Sequence, residues 1–370
     1  MQDCDVLVIG AGVIGRSIAW RVAQSGASVT LVDRSDADRS SWAAAGMLAP
    51  ATEARYGENA LLDLGLESLR RYPSFLEELS SASGIEVRCG SSGALFVALD
   101  RDQAEAAVQL LEFQRSLGLS VRWLEAQECR DYEPALAPSL VGGIRSQTDT
   151  EVDPRTLLAA LELASASAGV RTIDDQIASI TVSGGRASGV TTMGGVQVSA
   201  RTIVLAAGCW SGSIENVPNE VKDAIRPVKG QVVRLDSRGP GTTKVCIVRT
   251  QDVYVVSRRD HLVVGATSEE KGFNTTPTAE GVYELLRRAI EVLPGIRHHD
   301  IIEIGVGLRP GSRDNAPLLG PTSLEGLIAA TGHFRNGILL TPVTADAIAT
   351  LVSSGNVPDT LKVFDPMRFA

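Results

Sequence analysis

An α/β fold is what this sequence predicts, and three stretches carry the expectation. Residues 5–33 run apolar strand, glycine-rich turn, amphipathic helix, apolar strand. A second apolar strand, 202–205, ends in Ala206-Ala207-Gly208. Farther on, Gly332 to Pro342 forms a glycine-bounded turn that leads into a helix over about 343–353.

The first stretch is the most specific. The β-branched run Val6 to Ile9 makes a buried strand, and Gly10, Gly12 and Gly15 then fit GxGxxG. Gly10 permits the tight turn, Gly12 lets backbone approach a pyrophosphate, and Gly15 lets the helix pack on the strand. The helix is expected from about Val13 to Ser25, stopped by Gly26, and the next strand, 28–32, ends on Asp33. Asp33 can accept hydrogen bonds from a ribose, and the helix N-terminus offers unpaired N–H groups to phosphate. In this strand–turn–helix–strand context the motif predicts a bound dinucleotide.

The chain of 370 residues is long enough for two domains. A net charge of −9 and a pI near 5.1 argue against nucleic acid as a partner. No apolar run reaches the roughly 18 residues of a membrane helix, and the sequence enters a strand at once, so neither membrane nor secretory leader is expected. The five cysteines, Cys4, Cys89, Cys129, Cys209 and Cys246, are scattered and form no CxxC, which fits a reduced cytoplasmic setting. The histidines form no HxxxH or HExxH, so no metal is expected, and His298-His299 reads as an exposed loop pair.

Nicotinamide and flavin nucleotides both use such a turn. The segment Ser40 to Pro50 is dense in small residues. Two readings of it are open: backbone lying close against a bulky planar ligand, with Ser40 and Ser41 bonding phosphate, or a small-residue helix packed on the sheet. The helix after Gly332 favours flavin, because a helix N-terminus stabilises the anionic pyrimidine end of a reduced flavin.

Six segments, in this order along the chain, resemble the FAD-dependent amine oxidases of the D-amino-acid oxidase superfamily, and within it the glycine oxidases of thiamine biosynthesis. They are 10–15, 43–50, 226–231, 264–267, 307–310 and 332–342. The resemblance implies FAD, bound without a covalent link, since no His precedes residue 261 and no Cys follows residue 246. It assigns Val13 and Ile14 to the pyrophosphate and Asp33 and Arg34 to the adenosine ribose. Ser40, Ser41, Ala45, Gly46 and Met47 fall at the phosphates and the ring, Ile177 at the adenine, and Gly208 beside the dinucleotide. His333, Phe334, Arg335, Asn336, Gly337, Ile338 and Leu339 line the isoalloxazine. Arg309 matches a carboxylate-binding arginine, Tyr254 a tyrosine donating to the same carboxylate, and Arg335 a second arginine near the substrate.

The chemistry of those residue types agrees. A guanidinium forks onto a carboxylate and fixes its orientation, so that the Cα–H faces flavin N5 for hydride transfer. No dedicated base is needed if the amine binds unprotonated. Two departures concern the substrate pocket. Phe334 stands where many relatives carry Tyr, and Ser268 where some place Met, which leaves space for a longer amine substituent.

The resemblance further implies an α/β, Rossmann-like FAD-binding domain interleaved with a smaller α+β substrate domain. The first is expected at 1–88, 143–225 and 306–370, and the second at 89–142 and 226–305. Strands are expected at 93–99, 230–235, 253–257 and 262–267, and helices at 101–117 and 279–293. Asp153-Pro154 should cap a helix running through Leu163, Gly184-Gly185 and Gly194-Gly195 should turn hairpins, and the polar stretch 51–58 reads first as an ordinary loop, with a place near the active-site entrance as the reading the resemblance implies. The expected activity is oxidation of glycine or an N-substituted glycine to the imine, then to glyoxylate plus ammonia or amine, with O2 reduced to H2O2. The alternatives are an oxidase of a bulky N-carboxymethyl secondary amine in specialised metabolism, a D-amino-acid dehydrogenase with another electron acceptor, a flavin protein without turnover, and a nicotinamide dehydrogenase. Relatives are often tetramers, so a homo-oligomer is expected.

Overall fold

The computed structural model describes residues 2–34, 40–238 and 247–370, so Cys246 lies outside the described residues. Two sheets organise the molecule. In the first, five strands run parallel in the order Leu327–Thr331, Gln197–Leu205, Gln2–Ile9, Val29–Asp33, Arg171–Asp174. Leu318–Pro321 pairs antiparallel at one edge. Ile177–Ser183 and Arg186–Thr192 form a hairpin that turns on Gly184 and Gly185, both at positive φ.

Alternation along the first strand sets its two cores. Val6 and Val8 face Ile18 of helix Val13–Gln24, Leu157 of helix Pro154–Ser167 and Ile348 of helix Thr341–Ser354. Leu7 and Ile9 point the other way, onto Ile180, Val190 and Leu318. Asp153 caps its helix as expected, accepting from the Arg155 and Thr156 N–H groups at 3.2 and 3.4 Å. A 25-residue helix, Asn59–Ser83, completes this layer, and it was not among the expected elements.

The second sheet is mixed, in the order Ile301–Gly311, Arg226–Asp236, His261–Gly265, Tyr254–Ser257, Ile247–Arg249, Ala94–Ala98, Gly142–Ser146, Val121–Glu125. Residues 143–146 and 306–311, assigned above to the nucleotide unit, therefore hydrogen-bond in this sheet. One face buries Val233, Leu235, Val255 and Leu262 against Leu285, Ala289 and Val292 of helix Ala279–Val292. The other presents Val232, Val256 and Val263 to Ala45 and Ala49.

The small-residue segment is not one helix. Ser40–Ala43 makes a single turn and Met47–Leu48 a short strand, broken at Gly46 with φ 78°. The histidine pair also divides. His298 is exposed, but the His299 ring is buried, with Nδ1 2.7 Å from the Asp236 carbonyl oxygen. A carbonyl acceptor at that distance makes burial of an imidazole tolerable.

Candidate active site

A cavity of about 910 Å³ opens between the two sheets. Its nucleotide end is built by the first glycine turn. Gly10 sits at φ 102°, where a Cβ would stand 2.5 Å from the Ala206 carbonyl oxygen. Gly15 stands behind this turn rather than in the cavity wall: a Cβ there would meet the Gly10 oxygen at 1.8 Å. Helix Val13–Gln24 has no side-chain cap at its own N-cap, and the Val13 N–H is met by Ser41 Oγ at 3.1 Å. The Ser40 hydroxyl donates to the Leu308 carbonyl, so both serines also tie the cradle to the chain. Asp33 accepts from the Ala11 N–H at 2.9 Å and from the Arg34 N–H at 3.0 Å, which orients the carboxylate where it lines the cavity.

The cradle fits a dinucleotide. A Cβ at Gly12 would meet only Ser41 Oγ, at 3.4 Å, and nothing lies within 4 Å of one at Gly208. Both residues line the cavity, with Val13, Ile14, Arg34 and Ile177. Trp210 lines this end too, with the Arg34 guanidinium 5.7 Å from its ring centre. Ala45, Gly46 and Met47 continue the wall. The Arg258 guanidinium donates to the Ala45 and Val152 carbonyls around that bend and pairs with Glu151 at 3.0 Å.

The opposite wall is a face of the second sheet. Paired residues share a face, so the pairings Gly230–Gly307, Val232–Gly305, Val232–Gly265, Gly265–Tyr254 and Arg249–Tyr254 form one surface. Arg309, two residues from Gly307, belongs to it. Its guanidinium lies over Gly230, where a Cβ would approach to 2.3 Å, and its Nη1 donates to the Thr267 carbonyl at 3.0 Å. The Tyr254 ring lies over Gly265, where a Cβ would stand 2.5 Å from the phenol oxygen. Burial pushes the Tyr254 hydroxyl pKa up, against the pull of Arg309, so at neutral pH it is a proton donor. Ser268 lines the cavity beside this face.

The third wall is the turn after Gly332. His333, Phe334, Arg335, Gly337 and Ile338 line the cavity. Asn336 and Leu339 do not. The Asn336 N–H closes the turn on the His333 carbonyl at 2.9 Å, and Leu339 packs on Gly65 in the helical core. His333 is buried, with Nε2 3.1 Å from Thr344 Oγ1, and burial pushes its pKa down to about 3.

An imidazole held neutral in the fold takes up a proton more readily once unfolded. Its stabilising contribution is therefore full above pH 6.5 and is lost as the pH falls from 6.5 toward 3. We expect it to cost about 2 kcal/mol of stability between pH 7 and pH 5. Urea unfolding at the two pH values checks this, and the loss should shrink in a His333→Asn variant.

Sequence reasoning missed Trp210, Glu53, Arg55 and Arg249 as lining residues. Glu53 and Arg249 are 3.3 Å apart across the cavity wall. The polar loop 51–58 was the signal for Glu53 and Arg55. No cluster of His, Cys, Asp or Glu among the described residues could hold a metal ion, and no described helix is long and apolar enough to cross a membrane.

A nucleotide cradle that shares its cavity with an arginine–tyrosine face defines an oxidoreductase site. The family described as FAD dependent oxidoreductase matches residues 5–351, and the chain belongs to it, with FAD as its cofactor. Glycine oxidase from Geobacillus kaustophilus shares the fold: TM-score 0.91 at 30% identity, over 100% of this chain and 99% of that one. Iminodiacetate oxidase from Chelativorans sp. superposes with TM-score 0.88 at 28% identity, over 98% of each chain. The bifunctional protein ThiO/ThiG of Synechocystis sp. is 34% identical over 99% of this chain and 54% of its own length, so the chain spans about half of that relative.

Proposed function

We propose that this protein oxidises glycine or an N-substituted glycine to the imine and passes the electrons to O2. The observation that carries the reading is the shared position of Arg309 and Tyr254 on the glycine-cleared sheet face that lines the nucleotide cavity. FAD, held along Gly10, Gly12, Val13, Ile14, Asp33, Arg34, Ala45, Gly46, Met47 and Ile177, supplies the two-electron acceptor. Arg309 receives the substrate carboxylate through two parallel N–H···O bonds, and the Tyr254 hydroxyl donates a third. Three donors on one carboxylate fix the orientation of the amino acid as well as its affinity.

The amine is taken to bind unprotonated, which calls for no dedicated base; of the cavity groups near the flavin turn and loop 51–58, His333 is engaged by Thr344 and Glu53 by Arg249. Loss of two electrons and two protons from the amine gives the imine, and water then yields glyoxylate with ammonia or the amine. The likeness to glycine oxidase and to ThiO/ThiG supports glycine, and with it a role in thiamine biosynthesis. The likeness to iminodiacetate oxidase and the small Ser268 in the wall support a substituted nitrogen.

Oxygen uptake by the FAD-loaded protein tests the reading. Glycine and sarcosine should be consumed with H2O2 formed; uptake with D-alanine but with neither glycine compound sinks it. In Tyr254→Phe we expect KM to rise about tenfold or more, with kcat little changed, because one hydrogen bond to a charged group is lost from binding.

A further inference from the structure

Segment 226–231 meets the cavity only at Gly230, beneath the Arg309 guanidinium. Strand alternation sends the side chains of its neighbours, Lys229 and Gln231, to the other side of the sheet, where helix Ala279–Val292 packs. Both are almost fully buried there. Burying a lysine ammonium costs more than filling the same space with an apolar side chain, so packing alone does not account for Lys229.

The two residues organise the chain that follows strand His261–Gly265. The Gln231 backbone N–H donates to Thr267 Oγ1 at 2.9 Å, and its side-chain amide donates to Glu269 Oε1 at 2.7 Å and Thr278 Oγ1 at 3.0 Å. The amide oxygen accepts from the Thr278 N–H at 2.8 Å. The Thr267 hydroxyl in turn donates to Glu269 Oε1 at 2.6 Å. Lys229 Nζ donates to the Thr276 carbonyl at 2.6 Å and lies 3.9 Å from Glu269 Oε2. The Lys229 and Glu269 backbones exchange two hydrogen bonds, at 2.9 and 3.0 Å. Burial works against charge on Glu269, but the Thr267 and Gln231 hydrogen bonds and the Lys229 and Lys271 cations outweigh it and hold the carboxyl below its ordinary pKa. A buried polar network satisfied in this way is rigid.

The Thr267 carbonyl joins this network to the clamp, because it accepts from Arg309 Nη1 at 3.0 Å. We propose that Lys229, Gln231 and Glu269 are positioning residues for the substrate carboxylate: by fixing the Thr267 peptide they set the rotation of the Arg309 guanidinium and the direction of its remaining donors. The inference rests on Arg309 as the carboxylate clamp. A bidentate pair needs two N–H groups in the plane of the carboxylate. A guanidinium anchored at one nitrogen already holds that plane before substrate arrives, so less order is lost on binding. The effect of all three residues passes through the Thr267 peptide.

The test is a double-mutant cycle on the FAD-loaded full chain, read as the second-order rate constant for flavin reduction by sarcosine without air. Thr267→Val keeps the shape and removes the hydroxyl. We expect it to lower the constant about tenfold with flavin content unchanged, and Thr267→Ser to stay within about threefold of the parent. Gln231→Leu, which also strips Thr278 of its partner, should fall further; should that variant not fold, Thr267→Val carries the test. In the Arg309→Met background, Thr267→Val should change the constant by less than about twofold, because the group it positions is gone. An equal loss in both backgrounds marks a merely structural role and overturns the proposal. So does a valine variant as fast as the parent, or a serine variant as slow as the valine one. If the parent is reduced by neither sarcosine nor glycine, or Arg309→Met alone matches the parent, the clamp itself is wrong and its positioning falls with it.

Discussion

Replacing Arg309 by methionine is expected to lower kcat/KM for sarcosine about 10³-fold, on the order of 4 kcal/mol, while leaving the flavin in place. The guanidinium packs over Gly230 and, among the described residues, makes one hydrogen bond, to the Thr267 carbonyl. Its removal takes little from the fold. What it removes is the charge and the fork that hold the substrate carboxylate. Arg309→Lys should fall between the two, since an ammonium keeps the charge but loses the parallel pair of donors. Steady-state kinetics with a flavin-to-protein ratio for each variant checks the claim. A methionine variant within threefold of the parent would remove Arg309 from the site.

The second large effect concerns the cofactor. Gly46→Ala is expected to yield protein that retains little FAD and melts at lower temperature. The position is at φ 78°, and an added Cβ would stand 2.0 Å from the Val152 carbonyl oxygen, 2.7 Å from Arg258 Nη2 and 2.9 Å from Pro154 Cδ. The strain of the backbone alone is about 1–3 kcal/mol, and the bend carrying Ala45 and Met47 must move to relieve the contact. Gly26→Ala is the control. It has a similar φ, 87°, but nothing within 4 Å of its Cβ. It should cost about 1 kcal/mol and keep its flavin. Flavin content and thermal melts of both variants separate strain from contact.

The contrast between those glycines shows what the sequence does and does not carry. Residues 5–33 were legible because strand, turn and helix are written in local periodicity and in glycines at fixed spacing. Asp153 and the Gly184-Gly185 turn were legible for the same reason: each rule spans only a few residues. Arg249 and Glu53 were not. They lie 196 positions apart in the chain and meet only because sheet pairing sets Arg249 beside Tyr254. Helix Asn59–Ser83 was missed because Gly65 and Pro73 interrupt its propensity, and burial of Leu61, Tyr72, Phe75 and Leu79 sustains it. In the turn after Gly332 the resemblance pointed to a segment that lines the cavity, but it could not separate the residues that face the cavity from Asn336 and Leu339 behind them. His299 misled because a pair of adjacent polar residues says nothing about which one finds an acceptor in the fold.

The central claim is that substrate is held by its carboxylate beside the flavin. The most direct test mixes FAD-loaded protein, without air, with sarcosine and, separately, with dimethylamine, which is the same amine without the carboxylate. The account predicts that sarcosine bleaches the flavin and yields glyoxylate, and that dimethylamine at equal concentration does neither. Equal bleaching by both amines, or none by sarcosine or glycine, would contradict it.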